Sequence, residues 1–176
     1  QEIEKIKHYL KCYRGNMKKQ ERQQSLKVKD SMNTKISKVI DNKIGDNFTY
    51  VAPVNMYGAR VGDDVFVGPF CEIQKDVYIG DRVRIQSHSF ICENVTIYDD
   101  TFIAHGVMFT NDKFADGQLS KDYLPTHIGY RCRIGSNVTI LPVFIGDDVT
   151  IGAGSVVTKD IREPGIYAGN PARRIK

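Results

Sequence analysis

The chain has 176 residues, 41% of them hydrophobic, which is enough for one domain with a sizeable core plus an appendage and short for two. Its formal charge of +4 does not point to nucleic acid, because residues 1–31 hold nine Lys/Arg against four Asp/Glu and the rest is close to neutral. No apolar run approaches the roughly 18 to 20 residues a bilayer helix needs and no apolar signal core opens the chain, so a soluble, cytoplasmic protein without membrane insertion is expected.

The first predicted element is helical. "IEKIKHYLKCYRGNM" sets Ile3, Ile6, Leu10, Tyr13 and Met17 at helical spacing, so residues 1–40 read as a basic helical or extended leader. Four cysteines, Cys12, Cys71, Cys92 and Cys132, lie far apart without a CxxC pair; reduced thiols are expected, with neither a disulfide framework nor a metal.

From Ile44 an aliphatic residue opens almost every block of six: "IGDNFT", "VGDDVF", "VGPFCE", "IQKDVY", "IGDRVR", "IQSHSF", "ICENVT", "IYDDTF", "IAHGVM". The beat stops at "FTND", skips about 13 extra residues within a loop over 111–125, and resumes at Ile128, Ile134, Ile140, Ile145, Ile151 and Val157. Two steps, Met56 to Val61 and Ile140 to Ile145, are one residue short. A period of six suits neither a helix nor an alternating strand. It is the mark of a parallel β-helix, in which three hexads make one triangular coil, residues 18 apart stack, and 41–160 give about six coils. Gly and Asn are expected at the corners because positive φ is cheap for them.

Sorted by face, the hexads collect polar residues on two turns. One carries Gln86, Ser87 and His88, then His105, and later the run Gly152, Ala153, Gly154; the next carries Glu93, Asn111 and Asp112, from which the loop departs. A long insertion beside such a cluster is more often functional than accidental.

The hexads, "GAGSVVTKDI" and the ending "AGNPARRI" resemble the left-handed β-helix acyltransferases that use acetyl-CoA, over roughly residues 40–176. "YGARVGDDVFVGPF", "IQSHSFICENVTI" and "FTND" with its loop look most like the N-acetyltransferases of surface-glycan synthesis that act on nucleotide-linked (UDP or dTDP) amino sugars, usually 3-amino sugars. The resemblance implies a left-handed coil, acetyl-CoA as co-substrate and a homotrimer with its sites between neighbouring prisms. Acyl transfer to an amine needs a proton acceptor, an oxyanion partner and a grip on both substrates. His88 and His105 are the candidate bases, since an imidazole accepts a proton near neutral pH. Glu93, 18 residues before Asn111, would hold the amine; Gln86, Asn111 and Asp112 would bind the sugar. Gly152, Ala153 and Gly154 leave a bare turn for the pantetheine arm, and Lys159, Asn170, Pro171, Arg173 and Arg174 would hold the phosphates through a tail over 161–176. An O-acetyltransferase acting on a sugar or serine hydroxyl is the nearest alternative. A β-helix carbonic anhydrase-like zinc protein, using His88, His105 and His127, is a more distant one.

Overall fold

The computed structural model describes residues 39–114, 117 and 122–176, within one compact unit spanning Ile36–Lys176. The helix expected in residues 1–31 lies outside the described residues. Those residues form short strands in three sheets of seven, six and eight. The first face runs from Val39–Ile40 to Val156–Val157, the second from Lys43–Ile44 to Phe144–Ile145, and the third from Thr49–Tyr50 to Gly165–Ala168 and Arg173–Arg174. The chain visits the three faces in turn and every pairing but the last is parallel, so the architecture is the expected β-helix. Coiling begins by Val39–Ile40, which pairs with Met56 and Tyr57, ahead of the first legible hexad.

Each hexad sends two side chains inward. The leading residue stacks on its counterpart one coil away, as Ile73 on Ile91, Ile79 on Ile97 and Ile85 on Ile103, and all six are fully buried. Burying each such side chain contributes about 1.5 to 3 kcal/mol. Two residues earlier comes a small inward residue, such as Val77, Val83, Ser89, Val95 or Thr101. The buried hydroxyls join coil to coil: Ser89 Oγ donates to Ala104 O at 3.1 Å and Thr101 Oγ1 to Gly129 O at 2.9 Å. Thr110 and Thr126 are different. Their hydroxyls are buried without a hydrogen-bond partner among the described residues, one just before and one just after the loop that interrupts the six-residue beat.

The turn leaving the second face, hereafter the aspartate corner, shows what the "IGD" pattern is for. Asp63 Oδ1 accepts from Asp46 N at 2.7 Å, Asp81 Oδ1 from Asp63 N at 2.9 Å, Asp99 Oδ1 from Asp81 N at 3.1 Å and Asp147 Oδ1 from Tyr130 N at 3.0 Å. Each carboxylate thus lies over the glycine of the preceding coil, and a Cβ on Gly45, Gly62, Gly80 or Gly129 would collide with it. These glycines provide clearance rather than positive φ, which corrects the expectation from sequence. The left-handed slot comes two residues later and takes Asn47, Asp64, Arg82, Asp100, Arg131 and Asp148.

Both shortened steps fall at the turn leaving the first face, hereafter the loop corner. Across the first of them Asn42 bridges the gap, its Nδ2 donating to Met56 O at 3.1 Å and its Oδ1 accepting from Ala59 N at 2.8 Å. At the far end, residues 161–172 make one more circuit. Ile161 bridges to Ile145, Gly165–Ala168 pairs with Val149–Ile151, and Ala172 N donates to Val156 O at 2.8 Å.

Candidate functional site

The turn leaving the third face, the histidine corner, stacks three columns. His88 occupies the left-handed slot with φ of 62°, in line with Phe70, Gly106, Asn137 and Gly154. Its ring stacks on that of Phe70, with centroids 4.9 Å apart and planes within 20°. His105 belongs to the neighbouring column, where its Nδ1 lies 2.9 Å from Ser87 Oγ. Both histidines are exposed. The structure therefore brings them to one corner, as expected, but gives each a different companion. Gln86 sits at the start of the turn, half-buried, and its carbonyl accepts from Cys71 Sγ at 3.1 Å. Burial pushes the Cys71 thiol above its ordinary range, as it does the Cys92 and Cys132 thiols, both up to about 11. The three are therefore neutral at physiological pH.

Two coils beyond His105 the same corner becomes bare. Gly154 has φ of 69° and no atom within 4 Å of the position a Cβ would take, while Ala153 is exposed. Gly152 packs close to Ala168, and Ser155 ties this turn to the tail: its Oγ donates to Gly152 O at 2.6 Å and accepts from Gly169 N at 3.1 Å. Asn170, Pro171, Arg173 and Arg174 follow on the surface. Arg174 bonds its own neighbourhood, with Nη2 donating to Pro164 O at 3.2 Å, and Arg173 Nη1 donates to Ala172 O at 2.9 Å. Lys159 is exposed on the loop corner of the last coil.

The loop corner gathers the other group. Glu93 is half-buried and stacks between Lys75 and Asn111 in the coil column, and its Oε2 lies 3.7 Å from Lys75 Nζ. Its backbone N–H donates to Gln74 Oε1 at 3.3 Å, and Gln74 Nε2 donates to Glu72 Oε1 at 3.1 Å. Desolvation, then the carboxylates of Glu72 and Glu93, raise the Tyr57 hydroxyl above its ordinary value, so it stays protonated and able to donate. Asp112 is only 8% exposed, and its Oδ1 accepts from Phe114 N at 2.8 Å, turning the chain into the loop. The loop neck is closed by Leu124 N donating to Asn111 O at 2.9 Å and by Asn94 Nδ2 donating to Tyr123 O at 3.3 Å. Phe114, Tyr123 and Leu124 stand exposed around it.

Sequence reasoning placed Ser87 on the turn without a role and missed Lys75 and Gln74, although the 18-residue interval held the signal: Ser87 precedes His105 by 18 and Lys75 precedes Glu93 by 18. The third histidine of the zinc alternative, His127, lies elsewhere, on the second face beside Phe144 with ring centroids 6.5 Å apart. Among the described residues no group of three His, Cys, Asp or Glu could hold a metal ion, and no helix is long and apolar enough to cross a membrane.

Residues 58–92 match the bacterial transferase hexapeptide (six repeats), and residues 125–159 match the hexapeptide repeat of succinyl-transferase. Over 53 residues the chain is 53% identical to the galactoside O-acetyltransferase of Escherichia coli, a stretch covering 30% of this chain and 26% of that protein. It thus spans about a quarter of the length of this curated relative. In three dimensions it is similar to a point mutant of AntD, an N-acyltransferase from Bacillus cereus solved with dTDP and coenzyme A, with a TM-score of 0.66 and 21% identity over 78% of this chain and 84% of that one. It is also similar to the polySia specific acetyltransferase NeuO, with a TM-score of 0.50 and 27% identity over 77% and 70% of the two chains. Its six-residue beat and its three sheets make the fold a parallel β-helix, and the two stretches similar to hexapeptide-repeat models lie within it.

Proposed function

We propose that the protein is an acetyl-CoA-dependent N-acetyltransferase acting on the amino group of a nucleotide-linked amino sugar. The observation that carries this reading is the loop-corner column. A half-buried carboxylate, Glu93, stands beside Asn111 and Asp112 at the root of a long loop, where hydroxyls and an ammonium can be held together. Lys75 already neutralises part of the Glu93 charge, so an incoming ammonium competes with an internal cation at 3.7 Å, and a sugar bearing several hydroxyls can satisfy both.

The bare turn at Gly152, Ala153 and Gly154 fits an extended arm whose amides bond to backbone. Lys159, Asn170, Pro171, Arg173 and Arg174 lie on the adjoining last coil and tail, where they would meet phosphates. Residues 161–176 are accordingly assigned to coenzyme binding, and the catalytic β-helix, expected over 41–160, extends back to Val39–Ile40 and takes in the extra circuit at 161–172. Coenzyme A bound to AntD supports this reading by analogy of fold alone.

The histidine and loop corners flank the first face. At about 3.3 Å per residue the five steps from His88 to Glu93 span up to roughly 16 Å, whereas reacting atoms must approach to about 3 to 3.5 Å. One copy therefore does not bring both corners to one nitrogen. A homotrimer with first faces toward a common axis would set the histidine corner of one copy against the loop corner of the next, and exposed Met108 on that face and Phe114, Tyr123 and Leu124 at the loop suit such burial.

The strongest second reading is an O-acetyltransferase of sugar hydroxyls, favoured by the stretch shared with the galactoside O-acetyltransferase. One experiment separates the two: thiol release from acetyl-CoA is followed with UDP- and dTDP-linked 3-amino sugars and with their 3-hydroxy counterparts. Turnover confined to the amines is expected. Equal or greater turnover of the hydroxy compounds would replace this reading by the second.

A further inference from the structure

We propose that Ser87 is the positioning residue of this site. It accepts a hydrogen bond from Nδ1–H of His105 and so leaves His105 Nε2 as the nitrogen that takes the substrate's proton. This rests on the acetyltransferase reading and assigns within it a role to a residue outside the candidate set. The two histidines are held differently. His88 has its ring laid on Phe70, a contact that fixes the plane and is indifferent to which nitrogen carries the proton. His105 has a polar partner, Ser87 Oγ, 2.9 Å from Nδ1. Its turn is also clamped from both sides. Below, the buried Ser89 hydroxyl donates to Ala104 O at 3.1 Å and accepts from Val107 N at 3.3 Å; above, Asn137 N donates to His105 O at 2.9 Å. Asn137 Oδ1 further closes over Gly106, where an added Cβ would crowd it.

Of the two neutral tautomers only the Nδ1–H form has a lone pair at the outward Nε2. Water leaves a free imidazole mostly as the Nε2–H form, so a partner at Nδ1 is what selects the other. With that form in place the chemistry balances. The amine nitrogen bonds to the thioester carbon, the carbon–sulfur bond breaks with its electron pair on sulfur, and the amine proton passes to His105 Nε2 and on to the thiolate, giving the amide and free thiol.

The test uses the full chain with 15N-labelled histidine, and two-bond 15N–1H spectra recorded above the ring titrations assign each tautomer; His105→Asn identifies the signal. His105 is expected as Nδ1–H in the wild type, mostly Nε2–H in Ser87→Ala, and restored in Ser87→Thr. A wild-type His105 protonated at Nε2, or a ring unchanged by Ser87→Ala, overturns the proposal. In thiol-release kinetics Ser87→Ala should lower kcat about tenfold, shift the acid limb of the kcat profile and leave both KM values within about twofold, with Ser87→Thr recovering most of the loss. An Ala variant with wild-type kcat and pH profile also overturns it. If the wild type releases no thiol with any acceptor, the acetyltransferase reading fails, while the ring spectra still decide the Ser87 pairing.

Discussion

The aspartate corner and the histidine corner are built from the same hexad, yet they use their polar atoms in opposite ways. At the aspartate corner carboxylates are turned onto the backbone of the neighbouring coil, and Arg82 and Arg131 clasp Asp100 and Asp148 with pairs of bonds of 2.7 to 3.0 Å and 2.7 Å. At the histidine corner the only side chain to side chain hydrogen bond among the described residues is Ser87 to His105, and the column ends in a bare glycine turn. A repeat that must stack everywhere can therefore consolidate itself at one edge and leave another open to solutes. The two kinds of glycine make the same distinction. Gly80 is required because Asp99 fills the space above it, whereas Gly154 has open space and only a left-handed φ.

That contrast can be broken from either side. The largest effect is expected from Gly80→Val, which drives a side chain into Asp99 and the backbone of Tyr98 and should cost about 3 kcal/mol of stability, read as a lower melting temperature with unchanged KM in the surviving enzyme. Next comes Glu93→Gln at the loop corner. It removes a charge-assisted contact worth about 1.4 kcal/mol and should raise the apparent KM for the amino sugar about tenfold while the KM for acetyl-CoA stays put. If acetyl-CoA affinity falls instead, the two corners have been assigned in the wrong order. Gly154→Ala should cost only about 1 kcal/mol in unfolding, because its φ is disfavoured but its space is free, and should raise the KM for acetyl-CoA.

The smallest effect is that of acid. Hydrogen bonds from Arg82 and Arg131 hold the Asp100 and Asp148 carboxyls below their ordinary value of 3.8, so each pair stabilises the fold above that pH, and its contribution is lost as pH falls through the depressed folded values. Both groups are exposed, so the loss is modest. Melting temperatures of Arg82→Ala and Arg131→Ala should lie below the wild type above about pH 3.8 and converge on it only as pH falls further, through the depressed values; curves that stay parallel there would show these pairs to be idle.

Much of the fold was legible because the period of six is itself the structure. Ile85, Ile103, Ile134 and Ile151 fall on one face, and Ile91, Phe109, Ile140 and Val157 on the next, as the spacing alone indicates. The placement of Glu93 beside Asn111 followed from the same interval. What the period did not show is what each corner residue does with its polar atoms. Asp99 and Glu93 are both acidic turn residues, but one is turned onto backbone and the other pairs with Lys75, and only the coil above or below decides which. Gly62 looked like a residue chosen for φ because clearance for a side chain one coil away leaves no local signature. The two threonine hydroxyls at the loop root, buried without a hydrogen-bond partner among the described residues, likewise left no mark in their own hexads.

The stacking of whole coils also makes the molecule a ruler. Neighbouring strands in a sheet lie about 4.8 Å apart, so the turn at Gly154, two coils beyond Gly106, stands about 10 Å above the level of His105. That height is counted in integers. Inserting or deleting one circuit of about 18 residues between them would keep each Gly–Asp contact in register and yet change the distance from the bare turn to the imidazole by one full step. A bound arm of fixed length would then present its reactive end a strand's width from where the histidine waits. Length selectivity in this architecture is accordingly graduated by whole coils, and finer adjustment falls to the loop after Asp112.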